Sequence, residues 1–179
     1  GQNNEQRAFH FTVGTSKTAS DSTLAVSYMT QDATLKIVAP FITTTLALNG
    51  DTNKDLVITP GSNQSVTISY ANTLSTNITN ATVEIALSGS AVDYNSIKTT
   101  SGFYRSVDHT IVFSHDSDPS LAVLAPGASG VGSFTFSTLP AGSTGVAPAV
   151  TFSISVSGTR VGQSNVPEEV SASTIKTVK

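Results

Sequence analysis

Hydrophobic and polar residues alternate in short runs along most of the chain. Between Ser65 and Tyr70, the side chains of Val66, Ile68 and Tyr70 fall on one side and those of Ser65, Thr67 and Ser69 on the other. A period of two is the mark of a strand with one buried and one wet face. The run follows Thr59-Pro60-Gly61, in which proline holds φ at about −65° and glycine takes the φ > 0 position of a turn. Ala125-Pro126-Gly127 repeats the device ahead of Phe134 and Phe136, which alternate with Ser133, Thr135 and Ser137. These two runs are expected to sit at the centre of the fold, with the other strands packed around them.

The same alternation predicts strands elsewhere. Residues 1–38 offer three: Arg7–Val13, with Phe9, Phe11 and Val13 on one face; Leu24–Tyr28, with Leu24, Val26 and Tyr28; and Ala33–Val38, with Leu35 and Ile37. Ala39-Pro40 interrupts the pattern and marks a boundary. Beyond it come Phe41–Leu48, Leu56–Thr59, Ala81–Leu87, Gly102–Tyr104, Thr110–Phe113, Gly132–Phe136, Thr151–Val156 and Ser171–Val178. Strands this closely spaced, separated by turn residues, predict an all-β antiparallel sandwich.

Composition narrows the function classes. Only 12% of the residues are charged against 38% hydrophobic, about half the usual charged share of a soluble domain. A net charge of −3 with nine Lys and Arg leaves no basic stripe for nucleic acid or an anionic membrane surface. No apolar run is long enough for membrane insertion as a helix. With no cysteine, disulfides and thiolate-held metals are excluded. Gly1-Gln2-Asn3-Asn4-Glu5 reads as a mature or excised start, so upstream sequence is expected.

Two internal matches suggest repetition. Arg7–Val13 shares the paired-Phe alternation of Gly132–Thr138, and Asp32–Val38 matches Ala172–Val178. Residues 1–38 would then be a partial unit, the last strands of a preceding repeat or strands donated to a neighbour. Residues 39–179 would be a full one. The segments Pro60-Gly61, Tyr70-Ala71-Asn72-Thr73, Leu121-Ala122-Val123-Leu124-Ala125-Pro126-Gly127 and Phe134-Thr135-Phe136 together resemble the conserved-repeat immunoglobulin-like domains of bacterial and archaeal surface proteins. The resemblance spans about residues 55–138. It departs after the third strand, where Leu87-Ser88-Gly89-Ser90 stands in place of Asp-x-Leu-Pro. It implies an immunoglobulin-like β-sandwich that serves as a spacer, stalk or assembly unit and carries no catalytic residues.

Chemistry-bearing residues are sparse. Asp51, Asn53 and Asp55 present oxygens at alternate positions, like the first half of a calcium loop. Leu56 occupies the place of the sharp-turn glycine and no glutamate closes the loop, so calcium is a candidate ligand on half a loop and no other cofactor is expected. His10, His109 and His115 lack metal-ligand spacing, and the adjacent pairs Asp108-His109 and His115-Asp116 have no nucleophile elbow to serve. Gly127-Ala128-Ser129-Gly130 is one residue short of such an elbow. Asn63, Asn77 and Asn80 each open an N-glycosylation acceptor triplet. Lys36 and Lys176 are candidates for an intramolecular isopeptide bond, which would need a buried carboxylate, and Glu84 is expected to face outward. Phe103-Tyr104-Arg105 is the best aromatic cluster for stacking on a sugar.

The sequence therefore points to a non-enzymatic structural repeat outside the cell, part of a surface layer, stalk or filament. Its expected partners are copies of itself or neighbouring repeat domains, with polymerisation by strand complementation. The alternative is an adhesin or carbohydrate-binding module.

Overall fold

The computed structural model describes residues 6–16, 18, 24–36, 40–53, 56–142, 148–161 and 166–178. Asp55 of the candidate calcium loop lies outside them. The chain divides into two compact units, Gly1–Pro40 and Phe41–Lys179. In the first, β1 (Gln6–Ser16) pairs antiparallel with β2 (Leu24–Lys36) as a two-stranded sheet. Where the pattern predicts separate strands at Leu24–Tyr28 and Ala33–Val38, one strand runs through. The polar stretch Thr30-Gln31-Asp32 stays in the ladder because Thr12, Phe11 and His10 stand opposite it.

The second unit carries β3 (Ile42–Leu48), β4 (Asn63–Asn72), β5 (Ile78–Ser88), β6 (Val92–Thr99), β7 (Phe103–Arg105), β8 (Thr110–Phe113), β9 (Val123–Leu124), β10 (Ser129–Thr138), β11 (Val150–Val161) and β12 (Pro167–Val178). One sheet has the order β3-β4-β10-β6, the other β12-β11-β5-β8-β7, with β9 also paired to β5. Every named pairing is antiparallel. β3, β4, β10 and β6 hold the places of the A, B, E and D strands of an immunoglobulin sandwich, and β5, β11 and β12 those of C, F and G. β8 and β7 widen the second sheet beyond β5. The fold is an all-β, immunoglobulin-like antiparallel sandwich.

The two proline-glycine runs lead into β4 and β10, which pair with each other at the centre of the first sheet. Val66, Ile68, Tyr70, Phe134 and Phe136 from these strands are buried against Val83, Ile85, Leu87, Phe152, Ile154 and Val156 of the facing sheet. Phe136 meets Phe152 edge-on across the interface, ring centres 6.1 Å apart. Serines and threonines of the same strands line the outer faces, as on β11, where Thr151, Ser153, Ser155 and Ser157 alternate with the buried row.

Sequence and structure differ at two further elements. Leu56 and Ile58 are buried as the alternation requires, but 56–59 belong to no strand. The Thr59 carbonyl is taken up by the hydroxyls of Ser62 and Thr138 instead. β6 carries no alternation to detect. A register irregularity against β10 between Thr135 and Ser137 spaces its buried residues, Val92 and Ile97, five apart.

Candidate functional site: the open β1–β2 hairpin

Strand pairing turns the alternation of residues 6–36 into a two-faced ribbon. Arg7 stands opposite Leu35, Phe9 opposite Ala33, Phe11 opposite Gln31 and Val13 opposite Met29. Residues directly opposite share a face, so Phe9, Phe11, Val13, Met29, Ala33 and Leu35 lie together. The other face pairs Ala8 with Thr34, His10 with Asp32 and Thr12 with Thr30. A register irregularity between Val13 and Gly14 absorbs Tyr28. The Tyr28 hydroxyl lies 3.3 Å from that of Thr15, which places it on the apolar side with Val26. On the polar face the His10 ring nitrogen Nδ1 contacts the Asp32 carboxylate. Phe9 and Phe11 stack at 6.3 Å between ring centres.

Among the described residues, the large side chains of this face are exposed. Phe9, Phe11, Val13, Val26, Tyr28, Met29 and Leu35 are all exposed, Phe9 at 43%, Phe11 at 55% and Val13 at 55%, as is Leu24, opposite Ser16. Monomeric soluble domains rarely leave a contiguous apolar patch this large open without a partner for it. A lone two-stranded hairpin is also only marginally stable in water.

A second cluster gathers on β6, β7 and the turn before β8. The His109 ring stacks on Tyr94 at 3.8 Å between centres, and its Nδ1 lies 2.9 Å from the Tyr104 hydroxyl. Burial pushes the Tyr104 hydroxyl pKa up. Arg105 Nε donates to both Asp108 carboxylate oxygens at 2.9 Å, and its Nη1 donates to Glu84 at 3.3 Å. That fork holds the Asp108 carboxyl below its ordinary range. Asp108 and His109 thus have separate partners and do not act as a pair. Phe103 is exposed on the other face of β7 from Tyr104, opposite Val112.

The remaining sequence candidates are dispersed. Asp51 Oδ1 accepts the Asn53 backbone N–H at 2.9 Å, the geometry of an Asx turn. No group of three or more His, Cys, Asp or Glu side chains among the described residues could hold a metal ion. His115 Nε2 lies 3.3 Å from the carboxylate of its neighbour Asp116. Asn63, Asn77 and Asn80 are all exposed, and Asn80 has φ of 51°. Glu84 stands on the outer face, as its alternation requires. The Lys176 ammonium donates to the Thr52 carbonyl at 3.4 Å, and the side chain of Lys36 lies outside the described residues.

Residues of the resemblance motif converge on one corner of the sandwich. The Tyr70 hydroxyl donates to Asp118 at 2.6 Å, and a Cβ at Gly130 would strike that hydroxyl. Burial and the Asp118 charge push the Tyr70 pKa well up, and the same bond holds Asp118 below the ordinary carboxylate range. Buried Asn72 donates to the carbonyls of Thr76 and Leu124 at 2.9 Å and accepts from the Leu74 N–H at 2.8 Å. These contacts complete a structural lock.

No protein-family model matches the chain, and no curated protein matches its sequence. Among solved structures it is similar to the major pilin subunit of Bacillus cereus, at 12% identity and a TM-score of 0.46, covering 82% of this chain and 44% of the pilin. The chain therefore spans less than half of that protein's length. It is also similar to BslA, a bacterial hydrophobin, at 16% identity and a TM-score of 0.36, covering 79% of this chain and 98% of BslA. A third is an uncharacterised Nocardia farcinica protein with an immunoglobulin-like fold, at 11% identity and a TM-score of 0.35, covering 70% of this chain and 81% of that one.

Proposed function

We propose that the chain is a non-catalytic structural and assembly module of an extracellular surface protein, a component of a surface layer, stalk or filament. The observation that supports this reading is the hairpin of β1 and β2, on one face of which Phe9, Phe11, Val13, Val26, Tyr28, Met29 and Leu35 are exposed. The Ser/Thr-rich outer sheet faces, low charge and absence of cysteine fit a stable module working in an extracellular setting. Its partners are other β-sandwich units. Solution mass measured over a concentration series, with negative-stain imaging of the most concentrated sample, tests the reading. The expected result is association that Phe11→Asp abolishes. A monomer at every concentration that also binds no apolar dye would contradict assembly through the hairpin.

One feature favours a second reading, an adhesin or carbohydrate-binding module: the exposed aromatic side chain of Phe103 on β7. Binding on a glycan array that Phe103→Ala removes would select it.

A further inference from the structure

β1–β2 and β11–β12 share a grammar that the matches read from the sequence miss. Arg7–Val13 does not correspond to β10, because β10 pairs with β4 and β6 and forms no hairpin with the strand after it. The match of Asp32–Val38 to Ala172–Val178 also fails at residue level. Leu35 shares a face with Phe9, whereas Ile175 lies opposite Ser153, on the face away from Phe152. A one-residue offset reverses every side chain of a strand. The correspondence consistent with both ladders sets Phe9, Phe11 and Val13 against Phe152, Ile154 and Val156. A Gly-Thr pair follows each run, directly after Val13 at Gly14-Thr15 and after an intervening Ser157 at Gly158-Thr159. The β1–β2 ladder shifts register between Val13 and Gly14, and the β11–β5 ladder between Ser157 and Thr159. Both glycines are sites of close approach. A Cβ at Gly14 would meet the Val26 carbonyl oxygen, and one at Gly158 would meet Ile78 at 2.7 Å.

The surroundings of the two runs differ. Phe152, Ile154 and Val156 are 0%, 4% and 4% exposed, covered by the facing sheet, and β11 pairs with β5 on one edge and β12 on the other. Among the described residues, β1 pairs with β2 in a two-stranded sheet. Its apolar row is interrupted by Gln31, opposite Phe11, and bounded by Arg7, opposite Leu35.

Resting on the structural reading above, we infer that β1–β2 is the closing hairpin of a second sandwich. Its partner is another β-sandwich unit of this kind that lacks its own last two strands. That partner lays a β5-type strand along the free edge of β1 and covers Phe9, Phe11 and Val13 with an apolar sheet face. A second copy's Phe41–Lys179 unit is not this partner, because its own β11–β12 fills the position and its inner residues are already buried. The contact is therefore a hairpin supplied to an incomplete sandwich, with β1 rather than β2 at the seam.

The test supplies such a partner in one polypeptide: residues 41–149 copied ahead of residue 1 of the intact chain. The expected product is a monomer that no longer binds the apolar dye bound by the intact chain. Its appended segment survives protease at least about tenfold longer than in the same fusion carrying Phe11→Asp. Phe11→Asp should expose only the appended segment, leaving the original Phe41–Lys179 unit resistant. Equal digestion with and without Phe11→Asp would overturn the inference. So would a discrete dimer that persists in the fusion, which would make a second hairpin the occupant. Either result leaves the assembly reading standing if the intact chain associates through its hairpin. A monomeric, dye-silent intact chain would remove both.

Discussion

Two hairpins built on the same alternation end in opposite environments. In β11–β12, Phe152, Ile154 and Val156 are sealed beneath a facing sheet, while in β1–β2 the corresponding Phe9, Phe11 and Val13 face solvent. Alternation encodes which side chains share a face. It does not encode whether a second layer exists to cover that face, because the layer comes from strands distant in sequence. A hairpin is a local structure; a sandwich is a pairing of sheets.

The contrast breaks most sharply on substitution. Phe152→Ala should destabilise the Phe41–Lys179 unit by about 3–5 kcal/mol, the usual cost of emptying a buried phenylalanine site. Phe11→Ala should leave that unit's denaturation midpoint within about 0.5 kcal/mol of the parent, the range of ordinary surface changes. Urea melts of both variants followed by tyrosine fluorescence would compare them directly, and equal losses would remove the distinction.

A smaller effect is expected at the corner lock. Tyr70→Phe should cost about 1.5–3 kcal/mol, the range for a hydrogen bond to a charged group. Asp118 titrates lower in the fold than in the unfolded chain. Its contribution is therefore present above the ordinary Asp pKa of about 4 and lost as pH falls through the lower folded value. Tyr70 is shifted upward, so its contribution is full below about pH 10 and lost as pH rises above it. Denaturation series at acid and alkaline pH should show both losses in the parent and flatter profiles in Tyr70→Phe. Smallest of all is the response at the Asp51–Asn53 turn. There, millimolar calcium should leave the melting temperature unchanged, since Asp51 Oδ1 already accepts the Asn53 N–H.

The sandwich was legible where one face of a strand is buried and the ladder is regular: β4, β5, β10 and β11 stand where their alternation sets them. It was illegible at β6, where an irregular register destroys the period, and at Leu56–Ile58, buried without a ladder. Hairpin residues could be picked out from Phe9-x-Phe11-x-Val13, and the need for a partner followed from how few strands they make. Their openness, the join of Leu24–Tyr28 to the following residues, and the correspondence with β11 required the register. The Tyr70–Asp118 and Asn72–Leu124 bonds join residues 48 and 52 positions apart. Tyr70, Asn72 and Leu124 fall within the segments that carry the immunoglobulin-like resemblance, although nothing in the one-dimensional pattern pairs them.

Amide hydrogen exchange on dilute, monomeric intact chain tests the central claim most directly, by comparing 6–36 with 150–178 in one sample. The account predicts rapid exchange throughout β1–β2 and slow exchange, at the level of global unfolding, along β11. Protection in β1 equal to that in β11 would mean the hairpin is already covered, and would contradict it.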